Sequence, residues 1–434
     1  MTDTRTAMLR LSSLVGERTL FENEGYRRLW IAKLLSATPV NAIVYTMLIL
    51  VVNATGKSFF SSLFVAAYIA PTALLGTFSG VIVDRMPKGI VLGGTNLARA
   101  ALCVLLALST GNVMTIYFIA VLFAVASQLS GPAESSSLPA IVPVGDLTAA
   151  NSLNNLGGLI SQVAGLMVLP AVFLKTVGAE ALAIVCAVLF AAAAFEFLLV
   201  PGLGGAVRQI PLSVDDARER FAEAWSRLSS DSVSYIAVVT VVLASSTSLV
   251  VVTLLPRYAT SVLGINSENA IFVATPAAVG IWLALRIVRR VAGRYSPWWT
   301  MGLSFGALVS GVMLLAFIRV LGAGLSQAAP LGGTGARIAI TAVLAAGLAF
   351  SYTFLSIVGR SVVNERIPHD MQGRVFAAQN VLTNLASIPP ILLAGLLADA
   401  LGVTSVFFLV GVGCGFLALF YAARNIAAPS RVAL

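Results

Sequence analysis

Long runs of apolar residues alternate with short polar breaks along the whole chain. Twelve of these runs approach the roughly 20 residues that an α-helix needs to cross a bilayer. They cover 29–52, 61–83, 90–110, 114–131, 150–174, 180–200, 234–256, 270–288, 299–321, 336–358, 376–398 and 404–423. The pattern predicts an all-α polytopic membrane protein with twelve transmembrane helices. Because the fourth run is short and the eighth ends in arginines, ten or eleven helices stay open as alternatives.

The longest internal polar stretch follows the sixth run and divides the chain into two halves. The sequence predicts a cytoplasmic N-terminal tail (1–28), a six-helix bundle (29–200), a cytoplasmic linker (201–233), a second six-helix bundle (234–423) and a cytoplasmic C-terminal tail (424–434). In the linker, Phe221, Trp225 and Leu228 recur at helical spacing after Ser213, which predicts an amphipathic helix. This helix lies either on the inner membrane surface or against the cytoplasmic ends of the bundle.

A short internal repeat relates the two halves. Asn151, Leu153, Asn155 and Leu156 at the start of span five match Asn380, Leu382, Asn384 and Leu385 at the start of span eleven. Just upstream, a proline at 143 follows Ile-Val, and a proline at 368 follows Arg-Ile. The match indicates that the fifth helix of one half corresponds to the fifth helix of the other, as in membrane proteins with parallel repeats.

Composition excludes several classes of protein. Of 434 residues, 58% are hydrophobic and 10% are charged, with a mean hydropathy of +0.95, whereas soluble domains carry about 25% charged residues. A soluble enzyme, a nucleic-acid-binding domain and a secreted disulfide scaffold are therefore excluded. Cys103, Cys186 and Cys414 lie inside apolar runs and His369 is the one histidine, so we expect no metal site.

The net charge of +9 is explained by topology. With a cytoplasmic N-terminus, twenty basic residues fall inside, and five fall outside, namely Lys57, Lys175, Arg257, Arg319 and Arg337. The positive-inside rule then predicts a multi-pass membrane protein with both termini cytoplasmic. Arginine outnumbers lysine 23 to 4, which favours a bacterial source, so we expect the inner (cytoplasmic) membrane. We expect its basic loops to contact membrane lipids, and we expect no nucleic acid as a partner.

The loop after span two carries the most specific motif. Gly80 is followed four residues later by Asp84, then by Arg85, Pro87 and Lys88. This segment resembles the motif between helices two and three of the major facilitator superfamily, with proline at 87 in place of the usual glycine. The resemblance implies two pseudo-symmetric six-helix bundles that work by alternating access. It also implies that Gly80, Asp84, Arg85 and Lys88 form a cytoplasmic latch, in which the aspartate pairs with cations in one state and releases them in another.

Other segments are similar to particular branches of that superfamily. Gly131-Pro132-Ala133 and the segment from Ile367 to Phe376 resemble the drug-exporter-like branch of drug:proton antiporters. Leu35-Ser36-Ala37 and the segment from Phe64 to Ile69 are similar to bacterial lysophospholipid transporters. Two departures weigh against antiport: helix five lacks the usual Gly-Pro pair, and Val40 stands where related proteins carry an acid. In the second half, Val288 replaces the aspartate of the loop motif, which predicts a one-sided latch.

Embedded charges are functional candidates because a charge at the bilayer centre costs about 2.5–3.5 kcal/mol. Arg99 lies about 13 Å into span three and either attracts an anionic group of the substrate or pairs with Glu134. We favour the pair, and we regard Glu134 as the best candidate for proton coupling. Lys33 is expected to extend to the inner interface.

Polar and aromatic side chains on spans that line the cavity of this family are candidates for substrate contact, and interhelical hydrogen bonding is the alternative for each. They are Asn41, Tyr45, Tyr68, Gln128, Asn155, Gln162, Tyr352 and Asn384. Their sparse polarity suits an amphipathic or hydrophobic substrate.

Three functional hypotheses remain at this stage. The first is an exporter (efflux transporter) of small amphipathic compounds, either proton-coupled or uncoupled. The second is a lysophospholipid or lipid flippase, and the third is a non-transporting scaffold or assembly factor on the same fold. We expect no enzyme activity and no cofactor, because no nucleophile with a base, metal cluster or phosphate-binding loop occurs. We expect a monomer.

Overall fold

Helices account for nearly all of the chain that the structure describes. The computed structural model describes residues 20–204, 222–223, 225–291, 294–328 and 333–426. Within these ranges, ten helical segments are long and apolar enough to cross a membrane, and Ser58–Thr72 and Val403–Leu417 are shorter apolar stretches. Each of the twelve predicted spans falls on a helix, which confirms the predicted fold class.

The chain divides into two compact units, and the first comprises Met1–Ala54 and Ala67–Ala217. Its helices are α1 (Glu24–Thr55), the C-terminal part of α2 (Ser58–Asp84), α3 (Lys88–Ala107), α4 (Val113–Ile141), α5 (Leu147–Val163), α6 (Leu169–Thr176) and α7 (Gly178–Leu198). A π-helical turn, Ala164–Val168, joins α5 to α6, so the two form one span. Trp30, Leu92 and Phe197 are among the buried side chains of the core.

The second unit comprises Thr55–Ala66 and Arg218–Leu434, so it includes the start of α2. Its other helices are α8 (Ser232–Tyr258), α9 (Ala270–Ala274), α10 (Ala277–Val291), α11 (Pro297–Ala316), α12 (Ile318–Ala328), α13 (Gly333–Arg366), α14 (His369–Leu401) and α15 (Val403–Ile426). Val241, Phe305 and Phe354 pack in its core.

Two predicted spans are interrupted where the sequence pattern shows no break. Span eight turns at Thr275 and Pro276, between α9 and α10, because proline lacks the N–H that a continuous helix requires. Span nine, predicted to run to residue 321, ends at Ala316, and α12 begins after Phe317. By contrast, Pro39 and Pro71 lie inside continuous helices.

The predicted linker helix is described only in part. Ser213 and Phe221 lie outside the described residues. Leu228 is buried against Val238 of α8 and Val375 of α14, and the Trp225 ring lies 5.9 Å from that of Tyr235. This end of the linker therefore packs against α8 and α14 of the second unit.

The prolines of the internal repeat have matching conformations. Pro143 has φ −55° and ψ 149°, and Pro368 has φ −54° and ψ 143°. Each follows a buried aliphatic residue, Val142 or Ile367, and each precedes a helical turn. The repeat is thus a repeat of backbone geometry as well as of sequence.

Gly165, in the π-helical turn, permits a close approach of two backbones. A Cβ atom at this position would lie 2.7 Å from the Cβ of Asn41 and 3.2 Å from the backbone nitrogen of Ala42, and nearer still to the carbonyl oxygen of Thr38. Backbone atoms cannot move aside as a flexible side chain can. Small residues serve this purpose in membrane helices.

We therefore predict that Gly165→Ala destabilises the protein by about 1–3 kcal/mol, the range for overpacking a close contact. The measurement is the thermal unfolding midpoint in detergent. Gly158→Ala is the control, because a Cβ at Gly158 would meet no atom within 4 Å. Equal midpoints for the two variants would contradict the prediction.

Candidate functional site

Among the charged residues that the structure describes in the first unit, Arg99 is the most deeply buried, with 3% of its surface exposed. It lies eleven residues after the start of α3, or about 16 Å along the helix. Its Nη1 donates to Ser36 Oγ at 3.3 Å and its Nη2 donates to Ser127 Oγ at 3.0 Å. The guanidinium also lies over the rings of Phe123 and Phe190, at 5.6 and 5.9 Å. Hydroxyl dipoles and aromatic faces thus stabilise the charge.

The serines that bind Arg99 belong to a wider polar cluster. Ser36 Oγ donates to Asn96 Oδ1 at 2.7 Å, and Asn96 Nδ2 donates to the carbonyl of Leu92 at 2.8 Å. Tyr68, on the C-terminal part of α2, interacts electrostatically with Ser127 and with Arg99. The cluster therefore links α1, α3, α4 and the C-terminal part of α2 through one cation.

The expected pair between Arg99 and Glu134 is not formed; Glu134 pairs with Lys33 instead. Lys33 Nζ lies 3.9 Å from Glu134 Oε2, and the two side chains are 29% and 25% exposed. Ser127, which contacts Arg99, and Glu134 are both on α4, seven residues or about 10 Å apart along the helix. This separation leaves Glu134 nearer to Lys33 than to Arg99. Lys33 therefore bonds within the bundle rather than only extending to the interface.

Arg99 and Glu134 attract each other through space without contact. The Lys33–Glu134 contact is 3.9 Å long and partly exposed, whereas Arg99 is 3% exposed and makes hydrogen bonds of 3.0 and 3.3 Å. These are two different electrostatic environments within one unit. The Glu134 side chain is partly exposed, whereas Arg99 is buried.

The predicted cavity residues of the first unit have varied surroundings. Gln128 Nε2 donates to Thr72 Oγ1 at 2.7 Å, and Asn41 Nδ2 donates to the carbonyl of Ala37 in its own helix at 2.9 Å. Tyr45 is buried. Asn155 and Gln162, on α5, are exposed. Tyr68 thus joins the Arg99 cluster, and the two α5 amides remain accessible.

In the second unit, Tyr352 and Asn384 are in separate places. The hydroxyls of Tyr352 and Ser245 lie 3.3 Å apart, and Asn384 Nδ2 donates to the carbonyl of Asn380 at 2.9 Å. A buried hydrogen bond of 2.7 Å between Ser246 and Ser387 joins α8 to α14. Sequence reasoning missed this bond because single serines in apolar runs give no distinctive signal.

The loop motif after α2 is described in part. The side chain of Asp84 lies outside the described residues. Lys88 Nζ donates to the carbonyl of Ser136 at 2.7 Å, joining α3 to α4, and Arg85 follows the end of α2. A Cβ at Gly80 would meet no described atom within 4 Å, so no close helix approach is seen at this glycine. Val288, where the second half lacks the acid, is buried.

Asp399 is a functional candidate that sequence reasoning missed. Its Oδ1 accepts a hydrogen bond from the backbone N–H of Ser58 at 2.7 Å, and its Oδ2 accepts one from Phe59 at 2.9 Å. The carboxylate thus caps α2, where unpaired N–H groups and the helix dipole favour an anion. One turn earlier on α14, Gly395 leaves no room for a Cβ beside Ser62. An acid just beyond the predicted end of span eleven was the available signal.

Comparisons with known proteins agree with this architecture. The family model "Major Facilitator Superfamily" matches residues 29–389, and no curated protein matches the sequence. A crystal structure of the nucleoside transporter NupG (D323A mutant) is similar, with a TM-score of 0.74, 12% identity, and 92% of this chain and 99% of that chain covered. A POT family transporter in complex with 5-aminolevulinic acid has a TM-score of 0.69, 14% identity and coverages of 92% and 96%.

A third solved structure is a bacterial homolog of the human lysosomal transporter Spinster, in an inward-facing and unoccupied conformation. It has a TM-score of 0.70 and 13% identity, with 91% of this chain and 96% of that chain covered. At such low identity the likeness shows the fold and leaves the substrate open.

We predict that Arg99→Lys lowers the free energy of unfolding by about 2 kcal/mol, the scale of a hydrogen bond to a charged group. A lysine ammonium cannot bridge both serines with the flat fork of a guanidinium. Thermal unfolding in detergent measures the loss. Arg227→Lys, at an exposed position, serves as the control and should leave the midpoint unchanged; a matching loss there would rule out the bridging argument.

We also predict that Asp399→Asn lowers stability by about 1 kcal/mol, because the amide retains one acceptor and loses the charge that favours the helix N-terminus. The readout is hydrogen exchange of the amides at Ser58 and Phe59, which should become faster in the variant. Glu268→Gln removes another acid of the same unit and should leave these amides protected. Unchanged exchange in Asp399→Asn would refute the capping role.

Proposed function

Because the chain belongs to the major facilitator superfamily, we propose that it is a secondary active transporter that exports small amphipathic or hydrophobic compounds across the bacterial inner membrane. It works by alternating access, with protons as the coupling ion. Membership of the family makes it a multi-pass transporter. Substrate class, direction and coupling are our proposal, and the Lys33–Glu134 pair carries it.

The pair has the properties that proton coupling needs. Glu134 is a carboxylate within an apolar bundle, it is one-quarter exposed, and its contact with Lys33 is 3.9 Å long. Protonation of the carboxylate would remove its charge and leave the ammonium without a partner. Because an unpaired charge in this setting is costly, the protonated state would favour a different arrangement of α1 and α4.

The surface of α5 supports an amphipathic substrate. The exposed amides of Asn155 and Gln162 lie among exposed aliphatic side chains, which are Leu156, Leu159, Ile160 and Val163. Apolar area with a few orienting hydrogen bonds is the usual form of a site for such molecules. A sugar-like substrate would require denser polar contacts.

The test measures uptake of fluorescent amphipathic drugs and labelled lysolipids into inside-out proteoliposomes, with and without an acidic lumen. We expect gradient-dependent accumulation of drugs for the wild type. Glu134→Gln should reduce this accumulation to the level of protein-free liposomes, because the amide cannot exchange a proton.

Glu196→Gln is the matched control. Glu196 is also partly exposed and paired, with Arg28 Nη1 at 3.3 Å, but it lies near the end of α7. We expect it to transport as the wild type does. Coupling at Glu134 would be contradicted if both variants lost drug accumulation equally. It would also be contradicted if Glu134→Gln accumulated drug as the wild type does. Lysolipid movement that ignores the gradient would instead establish a flippase, and a folded protein that moves no substrate would support a scaffold.

A further inference from the structure

Arginines and tryptophans recur on α10, in the connection that follows it and at the start of α11. We define this arginine–tryptophan patch as Trp282, Arg286, Arg290, Arg294, Trp298 and Trp299. Residues 282, 286 and 290 are four apart, so they share one face of α10. Arg294 follows directly, since its N–H bonds to the carbonyl of Val291 at 3.0 Å. All six side chains are exposed, Trp282 by 52% and Trp299 by 78%.

Among the described residues, no carboxylate neutralises the positive charge of this patch. Arg28, Arg366 and Arg374 each pair with a carboxylate, but in the described part of the chain none of the three patch arginines does. The guanidinium of Arg286 lies over the ring of Trp282, at 4.6 Å. The reason is visible in the sequence, where residues 269–364 contain no aspartate or glutamate. Three cations therefore face the surroundings together.

The residues around the patch have the composition that is typical of a membrane–water interface. Exposed aliphatic side chains border it, among them Val279, Leu283 and Leu303. Tryptophan is enriched where hydrocarbon meets the headgroups, because its ring is apolar and its N–H is polar. A cationic surface bordered by apolar side chains and tryptophan suits a molecule with an anionic head and an apolar tail. A soluble acidic protein or a nucleic acid would not need the apolar border.

From this arrangement, we propose that the arginine–tryptophan patch binds an anionic phospholipid through its phosphodiester group. The planar guanidinium matches two phosphate oxygens. Arg286 and Arg290, one helical turn apart, hold the phosphate, and Arg294 extends the site toward the headgroup. The tryptophans and the bordering aliphatic residues contact the acyl chains. This inference does not rest on the proposed transport activity, since it concerns binding of a membrane component.

The chain provides its own probe for this site, because three of its five tryptophans belong to the patch. The experiment reconstitutes the full chain in phosphatidylcholine nanodiscs that contain a minor fraction of lipid with brominated acyl chains. Bromine quenches tryptophan fluorescence at short range. We expect brominated phosphatidylglycerol to quench at least about twofold more than brominated phosphatidylcholine at the same fraction, because it is enriched at the arginines.

Matched double variants separate a site from general attraction by net charge. Arg286→Gln with Arg290→Gln should abolish the preference for phosphatidylglycerol. Arg257→Gln with Arg319→Gln removes the same charge elsewhere in the second unit and should retain it. In the wild type, salt at about 0.5 M should weaken the preference, because it screens charges on an exposed surface.

Three results would overturn the proposal. Equal quenching by the two brominated lipids in the wild type would show that no anionic lipid is enriched. Equal loss in both double variants would show attraction by net charge without a site. A preference that disappears on adding soluble inorganic phosphate at low ionic strength would identify a site for free anions rather than for lipid.

Discussion

The cost of charge inside hydrocarbon is the constraint on which the first unit depends. A bilayer offers no water to solvate a charge, so each embedded ion must find its partners inside the protein. Arg99, on α3, finds two serine hydroxyls and two aromatic rings, and these partners come from three other helices, α1, α4 and α7. Placing a single cation therefore fixes how α1, α3, α4 and α7 pack.

Arg99 and Glu134 are stabilised in different ways because one can lose its charge and the other cannot. An arginine stays protonated in a protein, so its surroundings must stabilise a permanent cation, and buried fixed dipoles do so without moving. A carboxylate can be neutral or charged. The long, partly exposed contact between Lys33 and Glu134 tolerates both states more readily than a short buried pair would. The Arg99 charge connects helices of the bundle, and in the transport mechanism that we propose a change in the charge of Glu134 alters the contact between α1 and α4.

The fold could be predicted from sequence because apolar runs report directly on membrane helices, and all twelve predicted spans coincide with helices. The partners of charged side chains could not be predicted from sequence, because they depend on how each helix is rotated about its axis. Glu134 can pair with Lys33 instead of Arg99 without any change in the hydropathy pattern. Likewise, the break at Phe317 lies inside the predicted span, where no proline marks it and the nearest charged residue is Arg319, two residues on. The single proline that interrupts span eight resembles Pro39 and Pro71, which interrupt nothing.

The start of α2 shows how a long-range contact replaces a local signal. Gly56, with φ of +61°, turns the chain after α1, and the cap of the next helix comes from Asp399, 341 residues beyond Ser58. An aspartate side chain is short, so it reaches backbone N–H groups only if the two helices approach closely. Gly395 permits that approach one turn away, because it presents no Cβ to Ser62. The glycine and the aspartate therefore act together: the first sets the distance between the backbones, and the second satisfies the donors that this distance brings within reach.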